Sequence, residues 1–322
     1  MSAARSIAVT LVVAAVVVGS AAGAGLLGVG QQSTPEQSVE ASAHSPDERV
    51  VTAEEETGQI EVGGDESKVV LIDTVHGNDI GEGKLSAMVS ALSAAGHEVR
   101  FTDRDARRGS EFNATLRQAD VFVVISPERP FTQAQLNGVD AFTDAGGRLL
   151  LADDPQTPSF SFFGFPGDRG SSAPGMSALA SQAGIGFNDG YVYNTGTYDS
   201  NYRSVYATPG GGFASDVERT TFRNARAVTV RDGTRLLVTG EGAELSTTRD
   251  SGQYAVAVRS GNVVAVGSTS VFATDGYQNE ANEEFTSALL TFLVTGDKRP
   301  SDAPAPSEDG RERTGGERPP RA

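Results

Sequence analysis

Between residues 68 and 296 the chain alternates short apolar runs with segments whose apolar side chains recur at helical i, i+3, i+4 spacing. The first run, VVLI at residues 69–72, predicts a buried strand, and Gly96 ends the amphipathic helix that follows. The apolar positions of that helix are Leu85, Met88, Val89 and Leu92. Strands and helices continue to alternate with short connections, which is the pattern of a mostly parallel sheet with helices on its faces.

Three further units complete the alternating region. The predicted elements are a strand at 97–102, a helix opened by Ser110, a buried strand at 121–125, a helix that stops at Gly146 and a strand at 148–152. Thr132 and Gln135 have the spacing of a capping box, which marks the start of the second of these helices. Four units in right-handed connection predict an α/β fold with a flavodoxin-like, doubly wound sheet in the strand order 2-1-3-4.

A β-rich segment follows strand four. Its β-branched runs lie near residues 227–230, 236–239, 254–258 and 263–267. The last two runs flank Ser260-Gly261-Asn262, which predicts a hairpin. A final helix has an apolar stripe formed by Phe285, Ala288, Leu289, Phe292 and Leu293. A helix with one apolar face has to bury it, so we expect this helix to pack against the sheet.

Residues 1–30 are predicted to insert into a membrane. No charged residue occurs between Arg5 and Glu36, and residues 7–18 are almost entirely apolar. Residues 6–30 are long enough to span a bilayer, and we predict a retained signal anchor or transmembrane helix; cleavage as a signal peptide near Ala22-Gly23-Ala24 is the alternative. Arg5 favours a cytoplasmic amino terminus. Either outcome places the rest of the chain on the extracellular side, and the retained anchor predicts a single-pass protein of the cell membrane.

Two polar segments flank the predicted domain of residues 68–296. Residues 31–67 are rich in Ser, Glu, Gly and Pro and predict a disordered stalk. Residues 297–322 consist mostly of Pro, Gly, Arg and acidic residues, and such a composition buries too little apolar surface to offset the entropy of ordering. We therefore predict a disordered carboxyl-terminal tail.

The net charge and the scarcity of Lys, Cys and His exclude some classes of function. The 322 residues carry a formal charge of −16, which argues against a nucleic-acid partner. The cations are 23 Arg and only 3 Lys, and an acidic, lysine-poor surface predicts a halophilic, archaeal protein, because molar salt shortens the Debye length to about 3 Å and screens self-repulsion. With no Cys and three His, we predict neither a metal site nor a cofactor.

Polar residues gather where the predicted strands end. The segment after strand one offers Asp73, His76 and Asn78, strand three ends at Ser126, and strand four ends at Asp153 and Asp154. Ligands of doubly wound sheets bind outside the carboxyl ends of the strands, so these side chains are candidates for one crevice. Asp73, His76, Asp153 and Asp154 are the catalytic candidates, since carboxylates beside a histidine support acid–base chemistry. The alternative is that Asp, Asn and Ser stand there only because they form turns.

A third segment is expected at the same edge. Asp275, Asn279 and Asn282 precede the final helix and follow a buried strand, so they are further candidates for ligand binding with Asn78 and Ser126. Asn279 or Asn282 is also expected to cap the helix. This interpretation requires His76 and Asn279 to lie on the same side of the sheet.

Three stretches carry a resemblance to a known family. They are VVLIDTVHGN, GGRLLLADDP after the capped helix, and VGSTSVFATDGYQNEAN before the final helix. The region from about residue 68 to 295 resembles the domain-of-unknown-function 4350 family, which is common in haloarchaea. The resemblance implies a class I glutamine amidotransferase-like fold and no established activity.

Comparison with true amidotransferases excludes glutaminase activity. The resemblance implies that those enzymes have a nucleophilic Cys after the strand that corresponds to LLLA at 149–152 of this chain. This chain has Asp153 and Asp154 at that place. The chain has no Cys and no His after His97, so a thiolate with a histidine partner cannot form.

Two hypotheses of function follow. The first is a membrane-anchored, extracytoplasmic domain that binds a ligand or serves as a scaffold for a membrane or cell-surface protein, with no reaction of its own. The second is a hydrolase of a glycan or another small polar substrate that uses Asp73, His76 and Asp153. An enzyme needs His76 to bond a carboxylate inside an open concavity, which distinguishes the two.

Overall fold

The computed structural model describes residues 58–78, 84–103, 109–155, 174–301 and 303–305. They all belong to one compact unit, Glu55–Ala322. The predicted membrane segment, residues 1–30, lies outside the described residues. Among the described helices, none is long and apolar enough to cross a membrane.

One sheet of nine strands dominates the fold. In spatial order its strands are β2 (Glu98–Phe101), β1 (Val69–Ile72), β3 (Val121–Ile125), β4 (Arg148–Ala152), β14 (Val263–Val266), β13 (Ala255–Ser260), β10 (Thr234–Thr239), β7 (Ser204–Pro209) and β8 (Thr220–Arg223). The first five are parallel, and the last four are antiparallel. The predicted order 2-1-3-4 and the hairpin of β13 and β14 are confirmed, within a mixed sheet.

Small sheets and helices complete the architecture. The small strands are β5 (Ile185–Phe187), β6 (Val192–Tyr193), β9 (Val228–Val230), β11 (Ala243–Leu245) and β12 (Ser251–Gly252), which form the sheets β12-β11-β6 and β5-β9. The helices are α1 (Ser86–Ala94), α2 (Gly109–Arg117), α3 (Gln133–Asp144), α4 (Pro174–Gln182) and α5 (Asn282–Val294). Thr132 and Gln135 form the predicted capping box of α3.

Each face of the sheet has its own hydrophobic core. On the front face, defined as the one covered by α1 and α5, Ile72 and Ala152 pack with Phe285 of α5. On the back face, covered by α2, α3 and α4, Leu71 and Leu151 pack with partners from those helices. Side chains alternate between the faces along each strand because of the two-residue period, so the fully buried strands read as continuous apolar runs.

The folded domain includes parts of both flanking segments, which the sequence predicts to be a stalk and a tail. Residues 58–67 are part of the structure rather than of a stalk: the backbone N–H groups of Glu61 and Gly63 each donate to a hydroxyl of α5, at 2.9 Å. Ile60 and Val62 pack against the front core. Residues 31–67 have few apolar residues overall, so Ile60 and Val62 alone did not indicate a folded segment.

The predicted tail also starts too early. Lys298 is buried, and its ammonium group donates to the carbonyl oxygens of Arg117 and Ala119, at 2.7 Å and 2.5 Å. The Arg117 carbonyl group ends α2 and that of Ala119 lies just beyond it, and a cation is favoured there because the helix dipole is negative at its carboxyl end. The ordered chain therefore continues past residue 296, through residues 297–301 and 303–305.

Candidate functional site

Asp73 and His76 form a buried pair just after β1. His76 Nδ1 lies 2.8 Å from Asp73 Oδ2, and the two residues are 5 % and 0 % exposed. Asp73 Oδ1 lies 3.4 Å from both the Thr102 hydroxyl and the Val75 backbone N–H. The structure thus brings together two of the predicted catalytic residues, with a carboxylate that orients the histidine ring.

Aromatic side chains enclose the His76 ring on the back face of the sheet. Its ring lies 3.7 Å from that of Phe131 in a stacked arrangement and 6.0 Å from that of Phe112 in an edge-on arrangement. Phe112 and Phe131 belong to the back core. His76 is therefore packed as a core residue, and only a small part of its surface contacts solvent.

The loops after β1 and β3 are tied to each other. The Asn78 side chain donates to the carbonyl oxygen of Ile125 at 3.0 Å and accepts from the backbone N–H of His76 at 3.2 Å. The backbone N–H of Arg129 donates to the carbonyl oxygen of His76 at 2.8 Å. The predicted ligand-binding residue Asn78 thus holds two loops in place.

Ser126 ends β3 in a conformation that is uncommon for a residue with a side chain. Its φ is 37°, in the left-handed region. Its hydroxyl accepts a hydrogen bond from the backbone N–H of Asp154 at 3.2 Å. Strained residues concentrate at functional sites, and this one ends β3, beside the point where the sheet order reverses between β1 and β3.

Asp153 forms a buried ion pair with Arg226 on the back face. The two side chains are 1 % and 2 % exposed, and Arg226 Nη1 bonds Asp153 Oδ2. Arg226 also donates from Nε and Nη2 to the carbonyl oxygen of Asn188, at 2.9 Å and 2.8 Å. Burial raises the pKa of Asp153 to about 6, against the opposing effect of the Arg226 charge. Through Arg226, Asp153 thus links the end of β4 to the segment that follows β5.

Asp154 points to the opposite face and has other partners. Its Oδ1 accepts from the backbone N–H of Thr269 at 2.7 Å, and its Oδ2 accepts from the Thr269 hydroxyl at 2.6 Å. Lys84, before α1 on the front face, lies 3.4 Å from Oδ2. Because consecutive residues at the end of a strand point to opposite faces, Asp153 and Asp154 cannot serve one crevice.

The third predicted segment lies apart from His76. Asn282 is buried at the start of α5, where its side chain bonds both the N–H and the C=O of Thr221 and the C=O of Gly276. Asp275 pairs with Arg223 at 2.9 Å, and the Asn279 side chain donates to the carbonyl oxygen of Asp275.

The expected proximity of His76 and Asn279 is therefore wrong. His76 packs into the back core just after β1, whereas Glu280, next to Asn279, forms a bridge with Thr220 of β8, at the far edge of the sheet from β1. The capping prediction is wrong as well, because Ala281 occupies the cap position without a side-chain hydrogen bond. Asn282 stands one residue too late to cap, and it fastens α5 to β8 instead.

Arg226 is a buried polar residue of this region that the sequence pattern did not predict. Arg226 lies between Ala225 and Ala227, both buried, just before β9. The signal that the sequence offers is an arginine between two alanines and before the apolar run at 228–230, since a charged residue in such a run is almost never fully buried unless it is paired. Within the described residues, no group of three or more acidic or histidine side chains is arranged to hold a metal ion.

Comparison with solved structures shows a related fold. The chain is similar to the solved structure titled "mmIFT52 N-terminal domain", with a TM-score of 0.56 and 14 % sequence identity over 71 % of this chain and 98 % of that one. A cold-adapted β-galactosidase from Rahnella sp. R3 also matches at 14 % identity, over 71 % of this chain and 31 % of the enzyme, but its TM-score is 0.41. At this identity the first match shows the fold alone, and no argument rests on the second.

No curated protein sequence is significantly similar to the chain. The family described as "Domain of unknown function (DUF4350)" matches residues 85–290, which is well over half of the chain. This match covers every strand except β1, the helices α1 to α4 and most of α5. The chain therefore belongs to the DUF4350 family.

Proposed function

We propose that this chain is a membrane-anchored, extracytoplasmic domain that binds a ligand or a protein partner and has no reaction of its own. The observation that carries the proposal is the state of the catalytic candidates: Asp73, His76 and Asp153 are 0 %, 5 % and 1 % exposed. A catalytic acid or base has to come within hydrogen-bond distance of its substrate. Buried groups that are paired with residues of the same chain stabilise the fold instead.

The domain that we propose has a flavodoxin-like or amidotransferase-like fold and belongs to a halophile. Five parallel strands in the order β2-β1-β3-β4-β14 support a flavodoxin-like or amidotransferase-like arrangement. The absence of any Cys from the sequence supports a domain without glutaminase activity. The uncharged amino-terminal segment supports the membrane anchor, and the charge of −16 supports a halophilic protein.

A cluster of tyrosines offers a surface for a partner. We define the tyrosine surface as Tyr191, Tyr193, Tyr198 and Tyr202, on β6 and the loops beside it. Tyr193 makes edge-on contacts with Tyr191 and Tyr202 at 6.1 Å and 6.2 Å, and the Arg203 guanidinium lies 4.2 Å from the centre of the Tyr191 ring. Tyr198 and Tyr202 are 43 % and 44 % exposed. Tyrosine and arginine are the residue types enriched at the centres of protein interfaces.

Purification from native membranes in high salt tests this surface. We expect a cell-surface protein to co-purify in stoichiometric amount with the wild type and to be lost with the double variant Tyr198→Ser, Tyr202→Ser. Phe101, which is 52 % exposed on the edge strand β2, provides the matched control Phe101→Ser. Equal loss in both variants, or no stoichiometric partner of the wild type, would contradict the proposal.

A hydrolase is the second candidate function. The Asp73–His76 hydrogen bond of 2.8 Å and the left-handed Ser126 are arrangements that hydrolases use to orient a base and to expose a nucleophile. The pair is buried against Phe131, however, and access of substrate to His76 would require that packing to open.

The variant His76→Phe separates the two candidates. We expect it to lower the free energy of unfolding by about 2 kcal/mol, because the buried Asp73 carboxylate loses its charge-assisted partner. Hydrolysis of glycan and ester substrates should stay at the buffer rate for the variant and the wild type alike. If the wild type hydrolyses such a substrate and the variant does not, the hydrolase is correct and the binding domain is wrong.

A further inference from the structure

Two arginines share one aromatic ring on the front face, near the amino end of β4. Arg148 begins β4, and Arg259 lies two strands away in β13. Their guanidinium carbons lie 4.0 Å and 4.6 Å from the centre of the Phe292 ring. Phe292 of α5 stacks in turn on Phe213 at 5.0 Å. The two guanidinium groups therefore pack on a stacked aromatic pair, at the opposite end of β4 from Asp153.

The pair has no acidic partner in the part of the chain that the structure describes. Arg148 Nε and Nη1 are buried without a hydrogen-bond acceptor. Arg259 uses Nε for the carbonyl oxygen of Gly261, at 2.8 Å, which leaves its two terminal nitrogens available. Burial lowers the pKa of Arg148, and the positive charge of Arg259 lowers it further.

This placement of charge is costly without a counter-charge. Since both guanidinium carbons lie close to one ring centre, the charges are within about 10 Å, one Debye length at 0.1 M salt. The chain has 42 acidic residues, yet none of the described ones pairs with Arg148 or Arg259. An anion bound between the two groups would remove the repulsion and accept hydrogen bonds from the terminal nitrogens of Arg259.

We propose that Arg148 and Arg259 bind an oxyanion of the phosphate or sulfate type. Guanidinium groups present planar sets of donors that match such oxygens, and charge-assisted hydrogen bonds of this kind are the strong ones. The Phe292 ring keeps both groups in place, so little side-chain entropy is lost on binding. The site is separate from the tyrosine surface and does not depend on the proposed function.

Thermal unfolding of the full chain in the presence of inorganic phosphate or sulfate tests the site. Sodium chloride keeps the ionic strength constant, and acetate provides a carboxylate for comparison. The wild type should show a saturable rise in Tm of about 5 °C at a hundredfold excess over Kd. Arg259→Gln should abolish this rise. Arg235→Gln is the matched control, because Arg235 is an exposed arginine of the adjacent strand β10. Its substitution changes the net charge by the same amount.

Both anions also stabilise proteins by exclusion from the surface, but that effect does not saturate and is common to all three proteins. Calorimetric titration with phosphate should give at least a tenfold weaker affinity for Arg259→Gln than for Arg235→Gln. If Arg259→Gln does not fold, Arg259→Lys keeps the charge without the planar donors and should bind several-fold more weakly. Equal saturable binding by all variants, an adventitious ion only, would overturn the proposal, as would a wild type that binds neither anion.

Discussion

Replacing Arg226 with methionine is expected to lower the free energy of unfolding by about 3–5 kcal/mol at pH 7, because it leaves the Asp153 carboxylate buried without its partner. Methionine fills much of the same volume, so the loss reports the charge rather than a cavity. The substitution also removes the donors that bond the carbonyl oxygen of Asn188. Urea unfolding at constant salt measures the effect. Since the pair is nearly inaccessible to solvent, the loss should be similar in high and low salt.

Two further variants show whether burial is the reason. Arg219→Met removes the partner of Glu280 in a surface ion pair, where the side chains are 51 % and 28 % exposed, and should cost less than about 1 kcal/mol. The double variant Arg226→Met, Asp153→Leu replaces the buried pair by apolar groups and should recover most of the loss. Equal losses for Arg226→Met and Arg219→Met would show that Asp153 is not an uncompensated buried charge in the variant.

The parallel half of the fold was predictable because its signals are local. The apolar run at 69–72 is a strand in the structure, and the capping box of Thr132 and Gln135 forms as predicted. Each of these features depends on residues a few positions apart, and the right-handed connection of neighbouring units then limits the possible strand orders. The two ends of the domain were not predicted, because their contacts are not local. The partners of Lys298 and of residues 58–67 come from distant parts of the chain.

The candidate site was predicted at the level of pairs but not as a whole. Asp73 and His76 are three residues apart, and the loop after β1 brings them together. Asp153 and Asp154 follow one strand but point to different faces, which a list of strand ends does not reveal. The partner of Asp153 is Arg226, 73 positions further along the chain. No local pattern predicts which buried carboxylate an isolated arginine will reach.

The titration of Asp153 gives the second large effect. Burial raises its pKa from 3.8 to about 6, so the folded chain holds this proton at a higher pH than the unfolded chain does. Stability from this group is therefore greatest below pH 3.8, is lost as the pH rises to about 6, and changes no further above that. Asp153→Asn cannot lose the proton. The free energy of unfolding of the variant relative to the wild type should thus rise by about 3 kcal/mol between pH 3.8 and 7.

Urea unfolding of both proteins at several values of pH measures this difference, in which the contributions of the other carboxylates cancel. Asp275→Asn is the control of opposite sign, because the hydrogen bond from Arg223 lowers the pKa of Asp275. Asp275 contributes stability above its unfolded pKa, so that variant should lose ground relative to the wild type as the pH rises. If Asp153→Asn also loses ground with rising pH, the attraction of Arg226 outweighs burial and the pKa of Asp153 is lowered. If the Asp153 carboxyl group is uncharged in mild acid and paired with Arg226 at neutral pH, the stability of Asp153→Asn relative to the wild type has to rise with pH.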